Sequence, residues 1–314
     1  MRLLRSVLRI LLAVAVCVAS LFLGAMALMR QPVFAREKTS LRDHADAARL
    51  RAHVQFLTSR VRSADHPDEL RVVAAYIADR FRASGATVEE QVFREYRNVI
   101  AHFGPRDPNL PVLIIGAHYD VCGDLPGADD NASGTAAILE LARLLGRTPP
   151  NTPVMLVAFT TEEPPFFGSE MMGSAVHAAS LKRPVIGMMS LEMIGYFRGE
   201  QRWTSWVLSL MYPRKGDFIG VCGGWRDRVL ARRTKRALNA SGIRTVSFTG
   251  PRTMLDASDQ RNYWSRGWPA VMVTDTAYER NPNYHTARDT ADTLDYARMA
   301  RVVDGVFRVA LSPS

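Results

Sequence analysis

The chain has 314 residues, 47% apolar and 23% charged, and this composition excludes a disordered, collagen-like or disulfide-scaffold protein. Its 40 Lys and Arg against 31 Asp and Glu give a net charge of +9, which on its own suggests a nucleic-acid or membrane-surface binder. Residues 1–30 hold four of these charges and no acid, and the remaining +5 is dispersed without a run of like charges. The charge therefore does not indicate nucleic-acid binding.

The N-terminal segment contains Ile10–Met29, twenty residues without a charge. As a helix rising 1.5 Å per residue it is long enough to cross a bilayer core of about 30 Å. Arginines before it place the N-terminus in the cytoplasm by the positive-inside rule. We therefore predict a signal-anchor over residues 1–30, with the rest of the chain on the extracytoplasmic (periplasmic or extracellular) side. Secretion after signal cleavage is the alternative, because Ala25–Ala27 has the A-x-A form of a cleavage site.

A short polar linker, residues 31–40, is predicted to precede two helices. Apolar residues recur at helical spacing over Leu41–Val61 and His66–Ser84. Alternating and β-branched residues over Thr87–Phe93 and Arg97–Phe103 then predict the two strands of a hairpin.

From residue 111 onward, apolar runs typical of strands buried on both faces alternate with helical patterns. The runs are Pro111–Asp120, Pro153–Thr160, Val185–Met193 and Pro269–Thr274, with further candidate strands at Phe218–Cys222 and Arg244–Phe248. The helical patterns are Ala132–Leu145, Ser169–Leu181, Arg226–Ala240 and the closing Tyr296–Leu311. This alternation predicts one α/β domain over residues 41–314, a three-layer sandwich with a central, mostly parallel mixed sheet flanked by helices.

Open α/β sheets bind ligands at the carboxyl ends of their strands, so polar residues there are the candidates for chemistry. The first buried run ends with His118 and Asp120, and a carboxylate two residues after a histidine can orient it as a metal ligand. Asp129 and Asp130 follow in a small-residue loop that opens a helix. They could serve as helix caps, or a carboxylate there could bridge two cations.

The next two runs end in acids. Glu162 and Glu163 are adjacent, so one can bind a metal while the other handles the proton of an attacking water. Glu192 ends an apolar run, where an unpaired charge would be costly and a cation is the simplest partner. His285 follows the last run, with Asp289 as a candidate supporting acid. Nitrogen and oxygen donors of this kind suit Zn²⁺.

Five motifs bring these residues into one pattern: GAHYD, PGADDNASG, TTEE followed by GS, SLEM and NPNYHT. In order and spacing, from about residue 111 to 290, they make the chain resemble peptidase family M28. Members of that family are zinc metallopeptidases, mostly aminopeptidases and some carboxypeptidases.

The resemblance implies a centre of two zinc ions per chain. The implied ligands are His118 and Glu192 on one zinc, Glu163 and His285 on the other, and Asp130 bridging both. It also implies that Glu162 is the general base and that Asp120 orients His118.

The chain departs from the family pattern in two places. Many members read Ser-Asp-His where this chain has Ser258–Gln260, and no tyrosine lies where some aminopeptidases polarise the scissile carbonyl. Tyr263, Tyr278 or Tyr284 could substitute, although packing or rim positions are the simpler interpretation. Substrate specificity and the carbonyl-polarising group therefore stay open at this point.

The expected function is a membrane-anchored aminopeptidase acting on peptides, with no prediction of oligomeric state. The free amine of the substrate needs an anionic partner, and Asp129 is one available carboxylate. The alternatives are a single-zinc transferase like glutaminyl cyclase and a catalytically silent binding ectodomain of the same fold. Cys122 and Cys222 could pair outside the cytoplasm or remain free.

Overall fold

The computed structural model describes residues 2–33 and 40–312, so residues 34–39 of the predicted linker lie outside the described residues. Helix α1 spans Arg2–Arg30 and contains the predicted apolar segment. Within the described parts of the chain it is the one helix long and apolar enough to cross a membrane, and its apolar window is not buried in the protein. Length and composition of this kind fit either a membrane anchor or a signal sequence.

Helices α2 (Ala47–Thr58) and α3 (Pro67–Ala83) follow. Helix α2 begins later than the predicted Leu41. The reason is Asp46, whose side chain accepts hydrogen bonds from backbone amides in the first helical turn and so fixes the start of the helix.

Eight strands form one mixed sheet. They are β1 Thr87–Phe93, β2 Tyr96–Phe103, β3 Val112–His118, β4 Val154–Phe159, β5 Val185–Glu192, β6 Ile219–Gly224, β7 Thr245–Gly250 and β8 Ala270–Thr274. Their spatial order is β1-β2-β4-β3-β5-β8-β6-β7. The four central strands β4, β3, β5 and β8 are parallel, and β6 and β7 are parallel to each other. The pairs β1–β2, β2–β4 and β6–β8 are antiparallel, which includes the predicted hairpin.

Helices cover both faces of this sheet. The remaining ones are α4 Gly134–Arg147, α5 Gly173–Ser180, α6 Trp206–Met211, α7 Arg228–Ala240, α8 Gln260–Trp264 and α9 Tyr296–Leu311. The main core packs α2, α3, α4, α7 and α9 on one face, and a second core packs α5 and α8 on the other. Within β3, Leu113 and Ile115 join the main core while Ile114 joins the second, because side chains alternate along a strand. The predicted three-layer α/β sandwich is confirmed.

A third apolar cluster lies beside the sheet edge formed by β7. Met211, Tyr212, Phe218 and Val246 form it, and side chains of α1 and of the segment before α6 pack against it. The last turn of the N-terminal helix therefore contacts the folded domain directly.

The parallel centre of the sheet brings together the strand ends that carry the motifs. His118 is the last residue of β3, Glu192 is the last residue of β5, and Thr160–Glu163 directly follow β4. Because neighbouring parallel strands end on the same side of a sheet, these side chains converge there.

Candidate metal centre

Asp130 lies between two histidines. Its Oδ1 is 3.3 Å from Nε2 of His118, and its Oδ2 is 3.0 Å from Nε2 of His285. The two histidines come from opposite ends of the sequence motif set, one on β3 and one in the loop after β8. A carboxylate placed this way presents one oxygen to each of two neighbouring sites.

Each histidine also faces a glutamate. Oε2 of Glu192 is 3.3 Å from Nε2 of His118, and Oε1 of Glu163 is 3.3 Å from Nε2 of His285. The structure thus brings all five sequence-predicted ligands into one cluster, arranged as two His–Glu pairs on either side of Asp130.

Glu162 adjoins the pair on the β3 side. Its Oε2 is 3.9 Å from Nε2 of His118, farther than either Asp130 or Glu192, and the side chain is 7% exposed. It also lines the open cavity in front of the cluster. Glu162 and Glu163 therefore face different histidines, as expected for adjacent residues with separate tasks.

The backbone around these residues is strained. Thr161, Met193 and His285 have φ values of 55°, 48° and 52°, in the left-handed region that non-glycine residues rarely adopt. Strain of this kind persists where surrounding packing enforces it, and it clusters at functional sites. His285 is a candidate ligand, Met193 follows the candidate ligand Glu192, and Thr161 precedes the candidate base Glu162.

Asp120 lies on the far side of the His118 ring. Nδ1 of His118 lies 3.2 Å from the backbone oxygen of Asp120 and 3.5 Å from its Oδ1, which has no closer partner although it is buried. Its Oδ2 accepts a hydrogen bond from the backbone amide of Glu163 at 3.1 Å. Asp120 is thus placed to orient His118 and also holds the loop that carries Glu163.

The loop that carries Asp130 is held by residues that sequence reasoning did not identify. Arg62 is fully buried and donates hydrogen bonds to the backbone oxygens of Leu57, Tyr119, Pro126 and Gly127. Arg62 comes from the segment after α2, where no motif marks it, so only its approach to the loop in three dimensions reveals it.

Asp289 supports the same loop from the other side. Its carboxylate accepts hydrogen bonds from the backbone amides of Asp129 and Asp130 at 3.0 to 3.1 Å. The sequence had placed Asp289 near His285 as a supporting acid. Its side-chain contacts are with the backbone of the loop that carries Asp130.

The prediction that the Asp129 carboxylate is available to the substrate amine is wrong. Its side chain is fully buried, with Oδ1 accepting from the amide of Gly195 at 2.9 Å and Oδ2 accepting from Nδ2 of Asn281 at 2.8 Å. Both oxygens serve the fold, so Asp129 is not available to a substrate amine.

Cys122 is a residue near the cluster that the motifs did not include. A ligand atom from each of Cys122, Glu163 and His285 lies within 4.8 Å of the others. The sequence signal, a cysteine four residues after His118, is too common to have identified it. Cys122 is free in the structure, as is the buried Cys222, so the predicted alternative of a disulfide between them is not seen.

Burial sets the electrostatics of the cluster. Burial and the neighbouring Asp130 raise the pKa of Glu163 to about 7, and burial raises the pKa of Glu162 well above its usual range. Burial would lower the pKa of His118, but Glu192 and Glu162 outweigh it and raise that pKa well above normal. Hydrogen bonds from both histidines outweigh burial at Asp130 and hold its pKa below the usual range.

These residues fit zinc. Among the ion pairs of residues 2–33 and 40–312, no lysine or arginine pairs with Glu162, Glu163 or Glu192. Buried carboxylates without a fixed cation are costly, and a divalent ion removes that cost. Imidazole nitrogens and carboxylate oxygens are also the donors zinc prefers.

Ser258, in the segment that departs from the family pattern, supports the cluster. Its hydroxyl donates to Oε2 of Glu192 at 2.6 Å. Gln260, where many members have histidine, is buried and donates its amide hydrogen to the backbone oxygen of Leu255 at 2.8 Å. The departure therefore changes the wall beside the cluster and adds no ligand to it.

A cavity of about 480 Å³ opens in front of the cluster. Asp130, Glu162, Glu163, Glu192 and His285 line it, together with Pro164, Phe167, Asp256, Ala257, Arg261 and Tyr284. Of the three candidate tyrosines, Tyr284 lines this cavity and stacks on the His285 ring at 3.8 Å. Tyr263 is buried against His177, and Tyr278 lies exposed at the rim.

Comparisons with known proteins identify a family and several relatives. The model of peptidase family M28 matches residues 98–310. The Escherichia coli (strain K12) protein YfbL is 47% identical over 283 residues, which cover 84% of this chain and 87% of YfbL. Aminopeptidase YwaD of Bacillus subtilis is 33% identical over 212 residues, 66% of this chain and 42% of YwaD. The chain spans about half the length of the curated relatives named as peptidases.

Solved structures show the same fold. The LapA aminopeptidase of Legionella pneumophila superposes with a TM-score of 0.66 at 19% identity, covering 90% of this chain and 80% of LapA. A glutaminyl cyclase of Bacteroides thetaiotaomicron superposes with a TM-score of 0.65 at 17% identity, covering 86% of this chain and 99% of the cyclase. At these identities the likeness extends to the fold alone.

Proposed function

The chain belongs to peptidase family M28, and from this premise we propose that it is a two-zinc aminopeptidase anchored to a membrane by α1. The observation that carries the proposal is the position of Asp130, with one oxygen toward each of two His–Glu pairs. A single-metal site would need only one of those pairs.

In this proposal His118 and Glu192 would hold one zinc, Glu163 and His285 would hold the other, and Asp130 would be shared between them. When bound, the zinc ions supply a Lewis acid that polarises the peptide carbonyl and acidifies the attacking water. Glu162 accepts the proton of that water at its carboxylate and transfers it to the amine that leaves. Asp120 keeps the His118 ring turned so that Nε2 faces the cluster.

Two cavity residues are assigned to the substrate. Asp256 is the cavity carboxylate outside the metal cluster among the described residues, and it replaces Asp129 as the partner of the substrate amine. Tyr284 is the tyrosine that lines the cavity beside the cluster, so its hydroxyl is proposed to hold the scissile carbonyl.

We propose one peptidase domain over residues 41–314. Helices α2 and α3 precede the residues matched by the family model, yet they pack into the same core as β3 and α4. Helix α1 then anchors this domain to the membrane. The arginines before its apolar segment indicate that the catalytic side lies outside the cytoplasm.

The test is digestion of a peptide library by the purified, zinc-loaded full-length chain in detergent, with products identified by mass. Release of single residues from free N-termini is the expected result. Shortening from the carboxyl end, or internal cleavage, would contradict the aminopeptidase assignment.

A glutaminyl-cyclase-like transferase is the second candidate, favoured by the cyclase folds among the structural neighbours. It predicts one zinc per chain and loss of ammonia from N-terminal glutamine without shortening of the peptide. Metal analysis and the same mass measurement separate the two. A zinc-loaded protein that leaves every peptide unchanged would instead indicate a silent binding domain.

A further inference from the structure

We propose that the catalytic domain lies on the bilayer surface through helix α6, and that it takes peptide ends located at that surface. This inference rests on the proposed anchoring by α1 and adds a second contact with the membrane. The partner is a lipid bilayer containing anionic headgroups.

The first observation is that the last turn of the apolar helix packs directly against the domain. Met26 and Met29 pack against the cluster formed by Met211, Tyr212, Phe218 and Val246, although the apolar segment continues to Met29. Met26 precedes the end of α1 by four residues, or about 6 Å of helix. A domain that contacts Met26 is therefore at the level of the lipid headgroups.

Hydrogen bonds fix this contact. Nζ of Lys235, on α7, donates to the backbone oxygen of Arg30 at 2.6 Å and of Gln31 at 3.2 Å. These oxygens lie at the C-terminal end of α1, which a lysine caps favourably. The domain is thus joined to the helix end by both apolar packing and a buried cationic cap.

Helix α6 lies beside this junction and has two apolar faces. Leu208 and Met211 pack into the cluster that receives α1. Trp206 and Leu210, one turn apart, are 74% and 63% exposed, with Val207 beside them. A tryptophan with leucine and valine exposed at headgroup level is the composition of a segment that inserts into a membrane interface.

The charges around α6 suit anionic lipid. Residues 198–215 carry four basic side chains and one acid, Glu200, while Asp217 lies 4.0 Å from Lys215 and Glu279 accepts hydrogen bonds from Thr204. Arg202, Arg214 and Lys215 among them are exposed. Lys and Arg side chains beside a membrane are attracted to its anionic headgroups. Basic residues around an apolar patch favour a bilayer over a second copy of this positively charged chain as the occupant.

A cavity of about 470 Å³ connects this region with the candidate metal centre. Met29, Trp203 and Leu208 line it near the membrane junction, and Glu192 and Tyr284 line it at the cluster. Its walls are mostly apolar, with Met193, Phe248 and Met272 among them. An apolar residue at the N-terminus of a membrane-bound peptide would therefore have apolar walls to contact between the membrane junction and the cluster.

The test uses the full-length chain in vesicles of phosphatidylethanolamine and phosphatidylglycerol. The first measurement is quenching of tryptophan fluorescence by brominated lipid. We expect strong quenching that Trp206→Phe largely removes. The substitution removes the fluorophore at the membrane but keeps an apolar ring there, so the protein stays folded and bound. Quenching that is the same with and without Trp206 would overturn the proposal, and self-association lost in Trp206→Phe would identify a second copy as the occupant.

The second measurement compares two substrates in the same vesicles. One is a leucine-initiated peptide with a palmitoyl chain at its carboxyl end, and the other is the same peptide without the chain. Trp206→Glu combined with Leu210→Glu should lower kcat/KM about tenfold for the palmitoylated peptide and leave the soluble peptide unchanged.

The matched control is Val92→Glu. Val92 is an exposed apolar residue on β1, at the edge of the sheet opposite β7 and about 34 Å away across seven strand spacings. This substitution should leave kcat/KM unchanged for both substrates. In the variant that combines Trp206→Glu with Leu210→Glu, an equal loss of kcat/KM on both substrates, or a loss on neither, would contradict the proposal. No hydrolysis of the soluble peptide by the unmodified chain would instead refute the aminopeptidase assignment, while the quenching result still decides the membrane contact.

Discussion

The carboxylate of Asp289 accepts a hydrogen bond from the backbone amide of Asp130 at 3.1 Å, across 159 residues of sequence. The segment after His285 thereby holds the loop that presents the Asp130 carboxylate. This contact joins the loop that carries Asp130 to the segment next to His285.

Removing that contact should weaken both the fold and the metal site. Asp289→Ala leaves two buried amides without an acceptor, at a cost of about 1–3 kcal/mol each in the free energy of unfolding. We also expect zinc affinity to fall by about 10–100-fold, as when supporting residues of metal ligands are lost. Urea unfolding and competitive chelation measure the two effects. Asp295→Ala, which removes the cap of α9, should cost stability but leave zinc affinity unchanged.

Metal stoichiometry should separate the two ligand pairs. His285→Ala removes a ligand from one pair and should leave one tightly bound zinc, whereas Asp130→Asn should weaken both sites because its two oxygens face different histidines. Metal analysis after dialysis gives the counts. Asp256→Asn, in the cavity but outside the cluster, is the control that should retain two zinc ions. Two tightly held zinc ions in Asp130→Asn would contradict the bridging role.

Glu162→Gln should separate metal binding from turnover. The amide keeps the size of the side chain but cannot accept the proton, so kcat should fall by about 10²–10⁴-fold with the zinc content unchanged. Glu170→Gln, an exposed residue of the same loop, should behave like the unmodified enzyme. Near-normal kcat in Glu162→Gln would show that another group takes the proton.

Arg62→Lys should be far from conservative. The guanidinium donates to four backbone oxygens from a fully buried position, and a lysine ammonium cannot reproduce that planar set of donors. We expect a loss of about 2–4 kcal/mol in the free energy of unfolding, measured by urea titration. Arg60→Lys, at an exposed position two residues earlier, should have no measurable effect. A loss equal in the two variants would exclude a special role for Arg62.

His177 should make the protein sensitive to acid. It is buried with its Nδ1 2.6 Å from the Tyr263 hydroxyl, and burial lowers its pKa from 6.5 to about 3. The unfolded chain therefore takes up a proton that the folded chain does not between about pH 6.5 and 3, so this contribution to stability is complete above pH 6.5 and is lost as pH falls.

His177→Gln keeps a partner for Tyr263 and cannot titrate. Its free energy of unfolding should fall less steeply with acid than that of the unmodified chain, by up to about 1.4 kcal/mol per pH unit. Urea unfolding of both proteins at pH 7 and pH 4.5 gives the comparison. If the two proteins differ in free energy of unfolding by the same amount at pH 7 and at pH 4.5, His177 does not cause the acid sensitivity.

Much of the candidate centre could be predicted because its signals are local. His118 and Glu192 each end a continuously apolar run. A few neighbouring residues are therefore enough to predict that each side chain is buried and lies at a strand end. The same local rule predicted the strands and the three layers. It also predicted the bounds of α9, while α2 was predicted too long because the cap at Asp46 competes with the apolar spacing.

The sequence by itself therefore determined the fold class, the family pattern and the residues that could hold a metal. Only the tertiary structure decided that Asp129 is used inside the fold, that Arg62 and Asp289 hold the loop that carries Asp130, and that α1 and α6 meet beside the apolar cavity. The physical reason is distance along the chain. A hydrogen bond between residues 65 or 159 positions apart depends on which strands lie side by side, and no local periodicity records that order.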